Sequence, residues 1–362
     1  MTRAAGSHLP NLYGLDREGL GTLLGSLGGR PYDGGQVYRW LYARRQLDPA
    51  AWSDLPRTLR ERIASETRVD PGAIGARTEA PDGTVKYRID LPGGGSVEAV
   101  CMVDRDRVTL CLSSQVGCAL DCDFCLTAKM GFVRHLDPGE IVGQAALVQE
   151  DRSLTDRRFN VVFMGMGEPL HNYDGVVAAT RLLADPQGMG LSRRRITVST
   201  AGLAPEIERL AREKVRPKLA VSLNATTDET RSRLMPVNRR YPLARLLESL
   251  RAFSEAASER FTFEYVLLDG VNDSEGEIRR LGKIVRSLPA KLNLIPFNPV
   301  PGWLPYLPPS RAKVIGIRDR LLADGVPVSV RFSHGAEARA ACGQLAFLPE
   351  DGRNASPDSR TE

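Results

Sequence analysis

Three cysteines stand close together near the middle of the chain, in the order Cys118, Cys122 and Cys125, directly after Gly117. Their spacing lets three thiolates wrap one corner of a small metal cluster. Iron–sulfur clusters are held by cysteine thiolates, usually four of them. A run that supplies three would leave one iron open for a ligand that is not protein. The sequence therefore predicts an iron–sulfur cluster with an open iron.

Zinc binding and disulfide formation are the alternative uses of these cysteines. A structural zinc site commonly takes four ligands in two separated pairs, and this run has no nearby second pair or histidine partner. The first twenty residues lack the apolar core of a signal peptide, and no apolar run is long enough to span a bilayer. We therefore expect a cytoplasmic protein without membrane contact, in a compartment that disfavours disulfides.

A second set of polar residues follows predicted strands. The segment Gly165-Met166-Gly167-Glu168-Pro169 follows a predicted strand at 160–164. Glycines let backbone approach a ligand closely, and the Glu168 carboxylate could pair with an ammonium group. Small polar residues end three further predicted strands, namely Ser199, Ser222 with Asn224, and Asn298. Each alone is typical of a cap or turn, but strand ends of one parallel sheet meet, so the set predicts a ligand site.

Strands alternate with helices from about residue 107 onwards. The predicted strands are 108–112, 160–164, 195–199, 218–223, 262–268, 291–295 and 327–332. The predicted helices are one that begins at Asp137 with a D-x-x-E capping box, and 174–183, 204–213, 243–257, 274–286 and 311–322. Repeated β-α units predict an α/β fold with a parallel sheet, either doubly wound or a full or partial barrel.

The residues before this core form two further predicted units. Apolar residues recur at helical spacing up to about Val69, which predicts a small helical domain. Arginines and aromatic residues alternate in this unit and could bind RNA through phosphate contacts and base stacking. Alternatively, the aromatic residues belong to the core and the arginines form a solvent-exposed face. The predicted divisions are a helical accessory domain at 1–70, a β-hairpin extension at 71–103, a core at 104–348 and a disordered tail at 349–362.

Overall composition is that of a globular protein with a mild basic excess. The chain has 362 residues, 49 of them Lys or Arg and 44 Asp or Glu, for a net charge of +5. Such an excess is compatible with a polyanionic partner without demanding one. Three other cysteines and one carboxylate are ambiguous: Cys342 after the last strand, Cys111 in the first core strand, and Cys101 and Glu98 in the hairpin. A free cysteine usually packs as a small buried hydrophobe.

Several longer segments resemble one known family. In chain order they are LCLSSQVGCALDCDFC, GMGEPLHN, LSRRRITVSTAG, LAVSLNA, EYVLLDGVND, LNLIPFNP and AACGQLA. They resemble the RlmN/Cfr family of radical S-adenosylmethionine (SAM) enzymes, which methylate adenosines in RNA, and the resemblance extends to about Ala346. It implies a partial (β/α)6 TIM-like barrel, a [4Fe–4S] cluster on the three clustered cysteines, and a SAM site of Gly167, Glu168, Ser199, Ser222, Leu223, Asn224 and Asn298.

The resemblance also implies a reaction sequence. Cys342 is methylated by one SAM, a radical from a second SAM removes a hydrogen from that methyl group, and the methylene radical adds to adenine C2. Glu98 takes the ring proton, and Cys111 attacks the Cys342 sulfur, which leaves a transient disulfide. The implied substrates are 23S rRNA near the peptidyl-transferase centre and tRNA anticodon loops, with a monomeric enzyme and a donor such as flavodoxin. Asn224 departs from the family, because many relatives have His there.

Three alternatives remain open at this point. The first is methylation of adenine C8, as in the Cfr branch of the family. The second is a non-catalytic, metal-bearing RNA-binding protein, which would have no use for the remote thiols Cys111 and Cys342. The third is a radical SAM enzyme for a small molecule, which the helical N-terminal domain and the AACGQLA segment disfavour.

Overall fold

The computed structural model describes residues 9–105, 107–154, 159–332, 335 and 338–347. The predicted disordered tail at 349–362 lies outside these residues. No helix in the described part is both long enough and apolar enough to cross a membrane. The strands are β1 (Ala73–Glu79), β2 (Val85–Asp90), β3 (Ser96–Asp104), β4 (Arg107–Cys111), β5 (Gln115–Gly117), β6 (Phe132–His135), β7 (Phe159–Phe163), β8 (Ile196–Thr200), β9 (Lys218–Ser222), β10 (Phe261–Leu267), β11 (Ala290–Pro296) and β12 (Val328–Val330).

Ten of these strands form one sheet, in the order β1-β2-β3-β4-β7-β8-β9-β10-β11-β12. Neighbours from β4 through β12 run parallel, which confirms the predicted α/β fold. Strand order never reverses, so the sheet winds in one direction as in a barrel, whereas a doubly wound sheet reverses at a switch point. The pairing recorded for the described residues leaves the sheet open at β1 and β12. The parallel part has seven strands, one for each predicted core strand, and the last of them, β12, is three residues long where 327–332 was predicted.

The predicted β-hairpin is part of a longer antiparallel arm. Strands β2 and β3 pair as predicted, but β3 also pairs with β4 and therefore continues the main sheet. Strand β1 was not predicted, because almost all of its residues are exposed and its sequence lacks the alternation of a half-buried strand. The short β5–β6 hairpin, a separate two-stranded sheet, was missed as well.

The helices are α1 (Arg17–Ser26), α2 (Asp33–Tyr38), α3 (Arg57–Glu66), α4 (Leu126–Lys129), α5 (Pro138–Asp151), α6 (Tyr173–Ala184), α7 (Ala204–Leu210), α8 (Asp228–Leu234), α9 (Leu243–Ala257), α10 (Glu275–Arg286) and α11 (Arg311–Ala323). The predicted capping box of α5 is present, with the Asp137 and Glu140 side chains each accepting from the other's backbone N–H. Helix α9 spans the predicted residues. Helices α4 and α8 were missed, since both are too short to show a helical period.

The N-terminal helices pack directly on the core. The Gly14 N–H donates to the Tyr42 hydroxyl at 2.7 Å, and Arg17 pairs with Asp185 of the core at 3.0 Å. Tyr38, Tyr42 and Trp52 are buried in one continuous hydrophobic core that includes the sheet. Most of the aromatic residues of this unit are therefore core residues. The predicted domain boundaries stay predictions, because packing continues across them.

A close backbone contact positions the loop that carries the clustered cysteines. Gly117 ends β5 with a φ of +73°, and the N–H of the next residue, Cys118, donates to the Gly131 carbonyl at 2.8 Å. A Cβ atom on Gly117 would overlap that carbonyl oxygen. Gly131 has a similar φ of +69°, but a Cβ atom there would meet nothing within 4 Å. Only glycine fits at the first position.

These two glycines give a matched pair of variants. Gly131→Ala should cost about 1 kcal/mol of unfolding free energy, the usual cost of a left-handed alanine. Gly117→Ala should cost more than about 3 kcal/mol, because steric overlap adds to the same backbone strain. Urea unfolding measures both values, and iron content after reconstitution reports the cysteine loop. Equal costs for the two variants would contradict this account of the loop.

Candidate functional site

A cavity of about 160 Å³ opens at the carboxyl ends of the parallel strands. Most of the predicted site residues line it, namely Cys118, Cys122, Cys125, Gly167, Glu168, Ser199, Ser222, Asn224, Asn298 and Cys342. The predicted residues Leu223, Glu98 and Cys111 are absent from this lining in the described part of the chain. The predicted gathering of strand ends and clustered cysteines around one space is therefore present.

Hydrogen bonds to different parts of the protein hold the cysteine loop, residues 118–125, in place. The Cys125 N–H donates to the Cys122 carbonyl at 3.1 Å, and Cys125 begins helix α4 as its N-cap. The Asp123 N–H donates to the Leu234 carbonyl at 3.0 Å, at the end of α8. The Tyr306 hydroxyl donates to the Asp123 carboxylate. These bonds hold the loop in place without using the cysteine side chains.

The three thiols fit an iron–sulfur cluster. Burial raises the pKa of Cys118 to about 12 and raises that of Cys122 well above its ordinary value, so both are neutral thiols here. Within the described ranges, no three His, Cys, Asp or Glu side chains could hold a single metal ion. In a cluster each thiolate ligates a different iron, so its ligands need not converge on one ion. Loading must displace the thiol protons, because only thiolates ligate metals.

The Gly167–Glu168 turn is held in place by the Gln115 side chain and by backbone N–H groups of neighbouring segments. Gly167 has a φ of +96°, and a Cβ atom there would collide with the side chain of Gln115. The Gln115 Oε1 accepts from the Glu168 N–H at 2.8 Å. The Glu168 carboxylate accepts from the backbone N–H groups of Leu170 at 3.0 Å and Ala201 at 2.8 Å. Burial raises the pKa of Glu168 to about 7, and these bonds oppose the rise.

Gln115 was missed by the sequence analysis, although it lies in the segment preceding Cys118. Its Nε2 lies 3.0 Å from the Nδ1 atoms of both His135 and His171. The amide has two hydrogens, so it can donate to both rings when each Nδ1 is unprotonated. With both amide hydrogens and Oε1 engaged in these bonds, the Gln115 side chain connects two histidines to the Glu168 backbone. Side chains that bond to main-chain groups leave no periodic pattern in the sequence. The only signal for Gln115 was its position in the segment that precedes Cys118.

Asn224 holds the scaffold with its side chain. Its φ is +55°, a left-handed conformation that asparagine adopts more readily than most residues. Its Oδ1 accepts from the Val266 N–H at 2.8 Å, and its carbonyl accepts from Asn272 Nδ2 at 2.8 Å. Asn224 therefore has a structural use of its own, in addition to its place in the cavity lining. The neighbouring Leu223 is buried behind the cavity wall, where its carbonyl accepts from Arg231.

The C-terminal segment brings Cys342 to the cysteine loop. The Leu126 N–H donates to the Gly343 carbonyl at 2.8 Å, and the Thr127 hydroxyl donates to the Leu345 carbonyl at 2.6 Å. Asn298 Nδ2, from a predicted SAM residue, donates to the Cys342 carbonyl at 3.2 Å. Cys342 is thereby attached to α4 and to the end of β11, although it is remote in sequence from both.

Cys342 also lines a second, smaller cavity of about 20 Å³, together with Cys111 and Arg331. Burial raises the pKa of Cys111 to about 12 and also raises that of Cys342. All six cysteines are free thiols, so the disulfide implied by the family resemblance is not formed in this structure. The two thiols share a cavity without being bonded.

Glu98 lies next to the C-terminal segment. Its Oε2 accepts from the Ala346 N–H at 3.0 Å, and its Oε1 lies 2.9 Å from Lys86 Nζ. Burial raises the pKa of Glu98, and the Lys86 ammonium opposes that rise. The carboxylate thus contacts the segment that carries Cys342 rather than the cavity wall.

Comparison with known proteins gives two family matches. Residues 112–282 match the radical SAM superfamily, and residues 10–69 match the ribosomal RNA large subunit methyltransferase N-terminal domain. A radical SAM methyltransferase structure from Sphaerobacter thermophilus superposes with a TM-score of 0.88 at 41% identity, covering 93% of this chain and 99% of that one.

Curated relatives agree over nearly the whole length. The dual-specificity RNA methyltransferase RlmN of Anaeromyxobacter dehalogenans is 46% identical over 93% of this chain and 92% of its own. The probable dual-specificity RNA methyltransferase RlmN of Moorella thermoacetica is 45% identical over 94% and 98%. On this evidence the chain belongs to the RlmN family of dual-specificity RNA methyltransferases, within the radical SAM superfamily.

Proposed function

We propose that this protein methylates C2 of adenosine in 23S rRNA and in tRNA anticodon loops, by way of a methyl group first carried on Cys342. The observation that carries the proposal is that Cys342 lines the same cavity as the three clustered cysteines and the Glu168 turn. Family membership supports RNA as the substrate class.

Within this proposal, Cys118, Cys122 and Cys125 hold the [4Fe–4S] cluster. The SAM site consists of Gly167, Glu168, Ser199, Ser222, Leu223, Asn224 and Asn298. When bound, the reduced cluster supplies the electron that cleaves a carbon–sulfur bond of SAM. Glu168 faces the amino group of the methionine part, and its protein hydrogen bonds keep the carboxylate oriented. Asn224 lines the site, with its Oδ1 occupied by the Val266 N–H. Leu223 contributes by fixing the wall behind it, since its N–H donates to the Glu264 carbonyl and its own carbonyl accepts from Arg231.

Cys342 provides a route for methylating a carbon that cannot react with SAM directly. Adenine C2 is electrophilic, so it cannot attack the electrophilic methyl group of SAM. The Cys342 thiol can attack it, and the resulting S-methyl group can then lose a hydrogen atom. The methylene radical adds to C2 and joins protein and RNA through a thioether.

Glu98 and Cys111 complete the reaction. Glu98 takes the proton from C2, and the Cys111 sulfur bonds to the Cys342 sulfur while the bond from that sulfur to the methylene carbon breaks. The carbon keeps the electron pair of the broken bond and takes up one proton, balanced by the proton that the Cys111 thiol gives up, so it stays on adenine as a methyl group. One electron is left over and passes to the redox partner, for which we propose a flavodoxin-class protein. The shared cavity of Cys111 and Cys342 supports this pairing.

The N-terminal helices are the proposed RNA contact. Arg44 stacks over the Trp40 ring, with its guanidinium carbon 4.0 Å from the ring centroid, and both Arg39 and Arg44 are exposed. Such stacked guanidinium and aromatic groups bind bases and phosphates of single-stranded RNA. Arg57 and Arg62, by contrast, pair with Glu61 and Glu66 on their own helix.

The proposed function is tested by nucleoside mass spectrometry. Cluster-loaded protein with SAM, a reductant and unmodified 23S rRNA should yield 2-methyladenosine. Cys342→Ala should abolish the product while iron content stays at the wild-type level. Cys101→Ala, which removes a buried thiol outside both cavities, should retain it. Formation of 8-methyladenosine instead would move the protein to the Cfr-like activity, and no methylation by an intact wild-type enzyme would reject the RNA substrate.

The ion pair of Glu98 predicts a pH effect. A carboxylate accepts a proton only when ionised, so release of the covalent RNA adduct should slow as pH falls through the Glu98 pKa. Lys86→Met removes the charge that opposes the raised pKa, so the pKa rises further. Adduct should therefore accumulate at a higher pH in this variant, as measured on denaturing gels across a pH series.

Lys291→Met, at an exposed lysine of β11, is the matched control and should keep the wild-type profile. If Lys86→Met also leaves the profile unchanged, Glu98 is not the group that takes the proton.

A further inference from the structure

Arg231, on α8, is a fully buried cation bonded only to neutral groups. Its relative exposure is 0%. Its nitrogens donate to the carbonyls of Leu223 at 3.0 Å, Ala201 at 2.6 Å and Ser222 at 3.1 Å, and to Asn238 Oδ1 at 2.9 Å. Three of these acceptors are main-chain groups at the ends of β8 and β9, the strands that bear Ser199 and Ser222. The guanidinium thus lies directly behind the cavity wall.

No carboxylate of the described residues lies within ion-pair distance of this charge, although the charge of Asp228 favours the protonated guanidinium from farther away. The ion pairs with N–O distances up to 4 Å include none to Arg231. Asp228, on the same helix, uses its Oδ1 to accept from Asn238 Nδ2 at 3.0 Å and the Leu243 N–H at 2.8 Å. Burial lowers the pKa of Arg231 to about 10, which still leaves it charged at neutral pH. A buried charge without a counter-charge is costly, so its presence calls for an anion nearby.

The cysteine loop is the neighbour that can supply this anion. Asp123 of the loop bonds to Leu234, less than one helical turn beyond Arg231 on α8. The Arg231 guanidinium also donates to the carbonyls of Ala201 and Ser222, and both of these residues line the same cavity as the clustered cysteines. A [4Fe–4S] cluster on three thiolates is an anion, and reduction adds another negative charge.

We propose that Arg231 is the fixed counter-charge of the cluster and raises its reduction potential by stabilising the reduced state. It acts as a positioning and electrostatic residue rather than a catalytic one. The Ala201 carbonyl accepts from Arg231 while the Ala201 N–H donates to Glu168, so the same side chain connects the cluster side of the cavity to the Glu168 turn. The inference rests on the proposed function, because it presupposes the cluster.

The test is an EPR-monitored redox titration of the cluster-loaded full chain without SAM. Arg231→Gln removes the charge and should move the midpoint potential to a more negative value. Arg231→Lys keeps the charge while losing most of the carbonyl bonds, and should restore much of the potential. If Arg231 were purely structural, both variants would lose stability because they lose carbonyl hydrogen bonds, and both would keep the wild-type midpoint potential.

Arg216→Gln is the matched control. Arg216 also donates to main-chain carbonyls, those of Ala211 at 2.7 Å and Ala257 at 3.1 Å, but lies away from the cysteine loop. This variant should keep the wild-type potential. If it shifts the potential as much as Arg231→Gln does, the effect is not specific and the proposal fails.

Asn238→Asp tests the charge without removing Arg231. It places a carboxylate where Arg231 Nη1 now meets a neutral oxygen, and it is made together with Asp228→Asn so that no second carboxylate faces the new one; the double variant should lower the potential as Arg231→Gln does. This variant decides the question if Arg231→Gln does not fold. Wild-type potentials in both variants, with intact clusters, would overturn the inference alone, whereas a wild-type protein that forms no redox-active cluster would overturn the proposed function.

Discussion

Two hydrogen bonds between α4 and the C-terminal segment determine where Cys342 lies. One joins Leu126 to Gly343, and the other joins Thr127 to the Leu345 carbonyl across 218 residues of sequence. Because α4 begins at Cys125, these bonds fix Cys342 relative to the clustered thiols themselves. The contact joins a helix near the start of the core to the segment that follows β12, the last strand of the sheet. The chemistry of the site therefore depends on the completed fold.

Burial is the second property on which the site depends. It raises the pKa of Cys118, Cys111 and Cys342, and raises that of Glu168 to about 7. Such burial limits the contact of these groups with solvent, and exclusion of water is a general way to protect reactive intermediates from side reactions. Of the charged groups nearby, Arg331 lines the smaller cavity, while Arg231 and the Glu98–Lys86 pair lie behind the walls. They act through short, fixed contacts instead of through solvent.

The sequence predicted those features of the site that have a local or periodic signature. Cys118, Cys122 and Cys125 come together because they are close in the chain. Residues such as Ser199 and Ser222 meet because parallel strands end at one edge. Contacts between residues far apart in the chain could not be predicted from motif spacing or hydrophobic periodicity. The proximity of Cys111 to Cys342, and the contact of Glu98 with the C-terminal segment, were implied only by family resemblance.

Other features left no usable trace in the sequence. Gln115 and Arg231 act by bonding to backbone groups whose positions follow from the tertiary fold, and no residue pattern marks such bonds. Strand β1 was missed because its side chains face solvent, and α8 because seven residues are too few to show a period. The leucine at 223 entered the predicted site as part of a motif, and the structure gives it a main-chain contact to Arg231.

The most direct test of the account is to follow the hydrogens of the methyl group on Cys342. Protein carrying a fully deuterated S-methyl group on Cys342 is purified, loaded with its cluster, and mixed with unlabelled SAM and RNA for a single turnover. Mass spectrometry of the 5′-deoxyadenosine formed should show one deuterium, and the first methylated adenosine should keep the remaining two. Methylated RNA formed beside unlabelled 5′-deoxyadenosine would contradict the claim that Cys342 carries the reacting carbon.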